Sequence, residues 1–175
     1  MSGLRTHGSL RVLVTGGAGF LGSALAKRAR AAGHALTTFD HAGSADRLGD
    51  LSDPAVVTRL VDDTRPDVVV HLAAALTDAA ASDAVAATRV NALGTAAIFA
   101  AAVARKIGRV VYASSVAAVG PCPEGSGDGV ALRPQSIYGA TKAFGEHLAR
   151  AMSGAGTTFV SLRFGWVYGP GRTRG

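Results

Sequence analysis

The sequence predicts an α/β fold, a doubly wound parallel sheet with helices on both faces in a three-layer αβα arrangement. Three observations predict it. Apolar, β-branched runs alternate with segments whose apolar positions recur at helical spacing. Those runs are continuous rather than alternating, as strands buried on both faces require. Between the first run and the first helical segment lies "TGGAGFLG", with glycines at 16, 19 and 22.

The first strand is "LRVLVTG" (Leu10 to Gly16), which feeds the helix "FLGSALAKRARAAG". "ALTTFD" (Ala35 to Asp40) is the second strand, and "DPAVVTRLVDDT" (Asp53 to Thr64) reads as a helix. "DVVVHLAA" (Asp67 to Ala74) returns to the sheet, and a long Ala-rich helix follows within Ser82 to Lys106. The strand "RVVYASS" (Arg109 to Ser115), a helix from about Ser136 to Met152 and the strand "TTFVSLRF" (Thr157 to Phe164) complete the series. One join breaks the rhythm. Only nine residues separate Asp40 from Asp50, whereas a parallel crossover takes about a dozen or more. "RLGDL" therefore reads as a short, loosely held third strand or a loop. Val119 to Pro134 is the longest irregular stretch, and long loops in compact domains are often functional.

The 175 residues have the size of one domain that needs no disulfide or metal to hold a core. Although 48% of them are hydrophobic, Arg, Asp and Gly interrupt each apolar run before the roughly twenty residues of a membrane span. No membrane association is expected. "MSGLRTHGSL" lacks the apolar core of a secretory signal, so the cytoplasm is the expected compartment. The lone Cys122, in the loop "GPCPEGSGDG", excludes an internal disulfide and a cysteine-built metal cluster, and no metal is expected. The net charge of +6 is spread as single arginines, such as Arg5 and Arg11 near one end and Arg172 and Arg174 near the other. With 6% aromatic content, that pattern reads as a solvated surface first and a nucleic-acid face second.

Each glycine of "TGGAGFLG" has a physical use. Without Cβ atoms the chain can turn tightly, bring backbone N–H groups to a pyrophosphate and pack helix on strand, while the helix N-terminus favours negative charge. A strand precedes the loop, a helix follows it, and Asp40 ends the next strand, which is the context a dinucleotide fingerprint requires. The Walker alternative fails because no Gly-Lys-Ser/Thr closes the loop. Asp40 can accept hydrogen bonds from both ribose hydroxyls of NAD, and its charge repels the 2′-phosphate of NADP, so NAD is the expected cofactor of this Rossmann fold. His41 and Arg47 stand near enough in sequence to reach a phosphate instead. His71, inside "VVVHLAA", reads as a hydrogen-bonded core residue rather than a catalyst.

With these residues in hand, the chain resembles the extended short-chain dehydrogenase/reductases, the NAD-dependent epimerase/dehydratase family. The likeness runs over roughly residues 10 to 171 through "TGGAGFLG", "GDLSD", "HLAA", "VNALGT", "YASSVAAVG", "YGATK" and "LRFGWVYGPG". The resemblance implies that Gly16, Gly19, Phe20, Leu21 and Gly22 hold the pyrophosphate, that Asp50 and Leu51 meet the adenine, and that Ala73 and Ala74 line the cofactor path. It implies Tyr138 as proton donor and acceptor, Lys142 between the phenol and the nicotinamide ribose, and Ser115 bonded to the substrate oxygen. Positions 138 and 142 share a helix face, and an ammonium one turn away favours a phenolate whose ordinary pKa is near 10. Asn91 and Trp166 are implied near the substrate, and Trp166 and Tyr168 are expected to pack at the site's rim. Relatives run on for well over a hundred residues. Residues 1 to 165 are accordingly expected to form the NAD-binding domain, and 166 to 175 the start of a truncated or absent substrate region. A homodimer through the Ala-rich helix and the Tyr138 helix is also implied.

The chain departs from the family pattern at two places. Val116 and Ala117 follow Ser115 where dehydratases carry Asp-Glu, which argues against removal of water. Trp166 stands where many nucleotide-sugar epimerases carry an asparagine. Hydride transfer at a sugar carbon, with a nucleotide sugar as substrate, is the first expectation. A dehydrogenase of a sugar, sugar acid or other alcohol is the second, and a non-catalytic NAD-binding module the third.

Overall fold

A computed structural model describes residues 8–154 and 156–172. Arg5, Arg174 and most of "MSGLRTHGSL" lie outside the described residues, as does the end of the 166–175 segment. Among the described residues six parallel strands form one sheet: β1 (Arg11–Thr15), β2 (Ala35–Asp40), β3 (Arg47–Leu48), β4 (Val68–His71), β5 (Arg109–Ser115) and β6 (Thr158–Phe164). Their order is β3-β2-β1-β4-β5-β6, so the chain winds outward from β1 first one way and then the other. Helices α1 (Phe20–Ala31), α2 (Pro54–Thr64), α3 (Thr77–Ser82), α4 (Ala84–Thr88), α5 (Gly94–Ala104) and α6 (Ile137–Met152) flank the sheet in three layers. Leu13, Phe39, Val69, Val110 and Tyr112 on the strands are buried against Val57 and Val61 of α2 and Ile98 and Phe99 of α5. These residues share one face of the sheet; on the other, α1 packs on β1 and β2, while Val160 and Leu162 of β6 are exposed.

Local chemistry sets the element ends. Asp53 accepts from Ala55 N at 2.8 Å and Pro54 opens α2, satisfying one free amide and pre-setting the first φ. Arg65 closes the same helix in a left-handed conformation, φ 41°.

The expected missing helix is indeed absent. Six residues join β2 to β3, and β3 holds only two, paired as Phe39 with Arg47 and Asp40 with Leu48. At Thr38 the ladder is replaced by a side chain. The Asp46 carboxylate accepts from Thr38 N and Thr38 Oγ1, both at 2.8 Å, and from Arg30 at 2.8 Å. These bonds hold Asp46 below the usual carboxylate range.

The Ala-rich helix expected within Ser82 to Lys106 is present as one continuous segment, Ala84–Ala104, with a π-helical turn inside it. α3 stands separately, Asp83 breaks the chain at φ −141° and caps α4 through Ala86 N, and the π-helical turn, Arg89–Leu93, leads into α5. Ser, Asp and Asn compete for backbone groups in this way. By length and composition the continuous segment Ala84–Ala104 could cross a membrane, contrary to the reading that no run is long enough. Its Ile98, Phe99 and Ala102 are fully buried against the sheet and α2, whereas its Val85 and Leu93 are exposed.

Candidate active site

The loop after β1 is built so that a Cβ would not fit. A Cβ on Gly16, whose φ is +73°, would lie 2.7 Å from Ala73 N, and one on Gly22 would lie 2.1 Å from Gly16 O. Gly19 starts α1 without a side-chain cap and no acidic residue occupies the first turn, so the amides of Phe20, Leu21 and Gly22 face outward with the positive end of the helix dipole. Asp40 is fixed at the rim of this cradle: its Oδ2 accepts from Ala18 N at 3.0 Å and its Oδ1 from His41 N at 2.8 Å. An uncapped helix end, bare backbone and a carboxylate ending β2 together fit the pyrophosphate and ribose of a dinucleotide.

The other cofactor positions divide. Asp50 accepts from Ser52 N and Ser52 Oγ at 2.8 Å each, bonds that lower its pKa, and its side chain is at the surface beyond β3. Leu51 turns into the core beneath Gly94 and is 5% exposed; only its backbone is left to meet a ligand. Ala73 abuts Gly16 and Ala74 follows, half-buried, in the loop leaving β4.

The C-terminal end of β5 and the start of α6 carry the candidate chemistry. Ser115 ends β5 and accepts from Ala117 N at 3.1 Å, capping a short 3₁₀ turn, Val116–Ala118. Ser136 caps α6 through Gly139 N at 3.0 Å. A Cβ on Gly139 would meet Ala117 O at 2.3 Å, so glycine lets α6 press against the turn after Ser115 and brings Tyr138 beside it. Lys142, 3% exposed, donates to Ala113 O at 2.7 Å and sits 5.5 Å from the Tyr138 ring centre. Burial pushes Lys142 down to about 8 and pushes the Tyr138 phenol up, with Ser115 opposing the latter.

Tyr112 lies beneath. Its ring is 5.0 Å from the Lys142 ammonium and packs where a Cβ on Gly145 would meet its hydroxyl at 2.4 Å. Among the described residues that hydroxyl has no partner within hydrogen-bonding geometry, and burial raises its pKa, with the nearby Thr95 opposing.

His71 is a core residue with a fixed tautomer. Thr95 Oγ1 donates to Asn91 O at 2.5 Å and therefore accepts from His71 Nε2 at 2.9 Å, leaving His71 Nδ1 to accept from Thr15 Oγ1 at 2.6 Å. Desolvation, then the Lys142 charge, pushes His71 down to about 3, which keeps it neutral.

The matched family is described as the NAD dependent epimerase/dehydratase family, over residues 12–175. The chain belongs to that family. It is 38% identical to the D-erythronate dehydrogenase of Cupriavidus necator over 162 residues, 79% of this chain and 49% of the relative. It is 33% identical to the 2-alkyl-3-oxoalkanoate reductase of Stenotrophomonas maltophilia, over 93% of this chain and 52% of that protein. Its fold matches a crystal structure of the Thermus thermophilus UDP-glucose 4-epimerase complexed with NAD at TM-score 0.83 and 34% identity, covering 93% of this chain and 57% of that one. The chain spans about half the length of the curated relatives it matches.

Against this epimerase/dehydratase frame, two expectations change. Asn91 does not offer its side chain to a substrate: it is 2% exposed, its Oδ1 accepts from Ala75 N at 2.7 Å, and its Nδ2 donates to Ala75 O at 2.9 Å and Thr141 Oγ1 at 3.2 Å. The π turn aims this amide at the loop beyond β4 and ties that loop to α6. Trp166 and Tyr168 do not pack at a rim either; they are 86% and 90% exposed, covered by nothing among the described residues.

Sequence reasoning missed Glu146, Ser114 and Arg163. Glu146 alone had a signal, the series 138, 142, 146, which continues one helix face by another turn. A hollow of about 610 Å³ lies at the opposite, N-terminal edge of the sheet, where Arg11 pairs with Asp67 and Arg105 with Asp62.

Proposed function

We propose that this chain binds NAD and carries the acid/base apparatus of an enzyme that moves hydride at a carbinol carbon of a sugar, first of all a nucleotide sugar. The observation that carries the proposal is Lys142, a buried ammonium one helical turn from Tyr138 and bonded to the carbonyl two residues before Ser115. Bound NAD supplies the hydride acceptor. Tyr138 takes the proton from the substrate hydroxyl as hydride leaves the carbon and returns it in the reverse step, and Ser115 hydrogen-bonds the same oxygen as charge develops. Lys142 lowers the cost of the phenolate by its charge. Asp40 holds the adenosine ribose and disfavours NADP.

Residues up to 165 form the cofactor-binding domain in this reading, and the exposed Trp166 and Tyr168 begin the region that meets substrate. Val85, Leu93 and Phe144 are exposed on α4, the π turn and α6, and they support a homodimer through those helices. A dehydrogenase of a sugar acid is the second reading, supported by Trp166 in place of asparagine and by the likeness to D-erythronate dehydrogenase.

The test is incubation of the complete protein with NAD and either UDP-glucose or D-erythronate, following the NADH absorbance and the products by chromatography. Epimerisation gives a new sugar without net NADH; dehydrogenation gives NADH. In either case Tyr138→Phe should cost on the order of a hundredfold to ten-thousandfold in turnover, and wild-type turnover in that variant would overturn the reading.

A further inference from the structure

Arg163 stands on β6 directly beside Ser114 of β5. Its Nε and one terminal nitrogen donate to the two oxygens of Glu146 at 2.9 and 2.8 Å, and Glu146, 3% exposed, also accepts from Ser114 Oγ at 2.6 Å. Glu146 is one turn beyond Lys142 on α6, and Ser114 immediately precedes Ser115. The other terminal nitrogen of Arg163 reaches out of this buried cluster and donates to the carbonyl of Asp128 at 3.0 Å. Asp128 lies in the exposed tip, residues 121–129, of the loop joining the turn after Ser115 to the cap of α6. The neck of that loop is closed by Arg133 N donating to Val119 O at 3.0 Å and by Gly120, whose Cβ would lie 2.2 Å from Arg133 O. Among the described residues, no other side chain outside the loop hydrogen-bonds its tip.

We propose that Arg163 is a positioning residue, a latch that holds the 121–129 tip to helix α6 through Glu146 and so sets the loop at the edge where Ser115 and Tyr138 meet substrate. The proposal rests on the catalytic reading of those two residues. The planar guanidinium is what the arrangement needs. Two nitrogens grip one carboxylate while the remaining one points to a separate carbonyl, a division that a single ammonium cannot reproduce. Arg163→Lys therefore separates the ion pair, which it keeps, from the latch, which it loses.

Hydrogen exchange of the NAD-loaded protein tests this. In Arg163→Lys the Ser126 and Val130 amides, which are bonded within the tip on either side of Asp128, should exchange roughly tenfold faster, as loss of one charge-assisted bond implies, while β1 and β4 keep their protection and NAD affinity holds. Turnover of whichever of UDP-glucose and D-erythronate the wild type converts should fall by roughly tenfold to a hundredfold, as for a loop displaced by about an ångström. Glu146→Gln, which keeps the shape and weakens the grip, should release the same tip. Unchanged exchange in the tip overturns the latch. Faster exchange there with unaltered kcat and KM overturns its positioning role. Wild-type turnover in Tyr138→Phe sinks the catalytic reading instead, and the exchange result still decides the latch.

Discussion

Lys142 is held where its charge is unwelcome, and the protein gives up stability to keep it there. Its folded pKa of about 8 lies below the 10.5 of an exposed lysine, so between those values the unfolded chain binds more protons and folding is favoured as pH rises. Below pH 8 the full penalty applies, about 3 kcal/mol by linkage. Replacing Lys142 with Met should therefore raise stability at pH 7 by about 2 kcal/mol, after about 1 kcal/mol for the orphaned Ala113 carbonyl. The gain should fade toward pH 10.5, as denaturant melts across pH would show. Asp40 gives the second prediction at this scale. Its replacement by Ala should narrow the preference for NAD over NADP by about 1 to 3 kcal/mol in calorimetric titrations, whereas equal affinities in the wild type would remove its assigned role. Helix spacing put Tyr138 and Lys142 on one face and the family resemblance singled them out; the structure brings the ammonium to 5.5 Å from the phenol ring centre. The roles of Asn91 and Arg163 were not legible in the sequence, since Ala75, Thr141 and Asp128 come near only after the sheet has registered distant segments.

At the level of elements, periodicity found the strands and most helices, and chain length alone exposed the missing crossover helix. The substitute for that helix was invisible. Nothing in "AGSADRLGD" announces that Asp46 will fold back on Thr38, because the bond spans eight residues and needs β2 already extended. Asp46→Ala should leave the Thr38 amide without its partner and cost about 1 to 2 kcal/mol in denaturant melts; most of that is the amide, because the half-exposed contact with Arg30 adds little. Composition found the Ala-rich helix but not the π turn inside it, whose Asn91 bonds the backbone of Ala75, far back in the chain.

For the whole molecule, the strand order places the glycine cradle, Asp40, Ser115 and the start of α6 at one edge, which is why a fold read from alternation also located the candidate site. The core also sets an acid limit. His71 must stay neutral when folded, with a pKa of about 3 against 6.5 when unfolded, so stability present above pH 6.5 is lost as pH falls toward 3. The expected slope is about 1.4 kcal/mol per pH unit inside that window. Melts of wild type and His71→Asn between pH 4 and 6.5 should diverge in slope, and parallel curves would show that the ring is protonated in place. The same strand order has a meaning for the chain as it is made. Of the six described strands, β1 is made before the others and lies inside the sheet; β2 and β3 then extend it on one side, while β4, β5 and β6 dock in turn on the other. At each stage on the ribosome the growing edge is a strand already completed, so every new strand finds its template finished and no segment has to be threaded between two that have already paired.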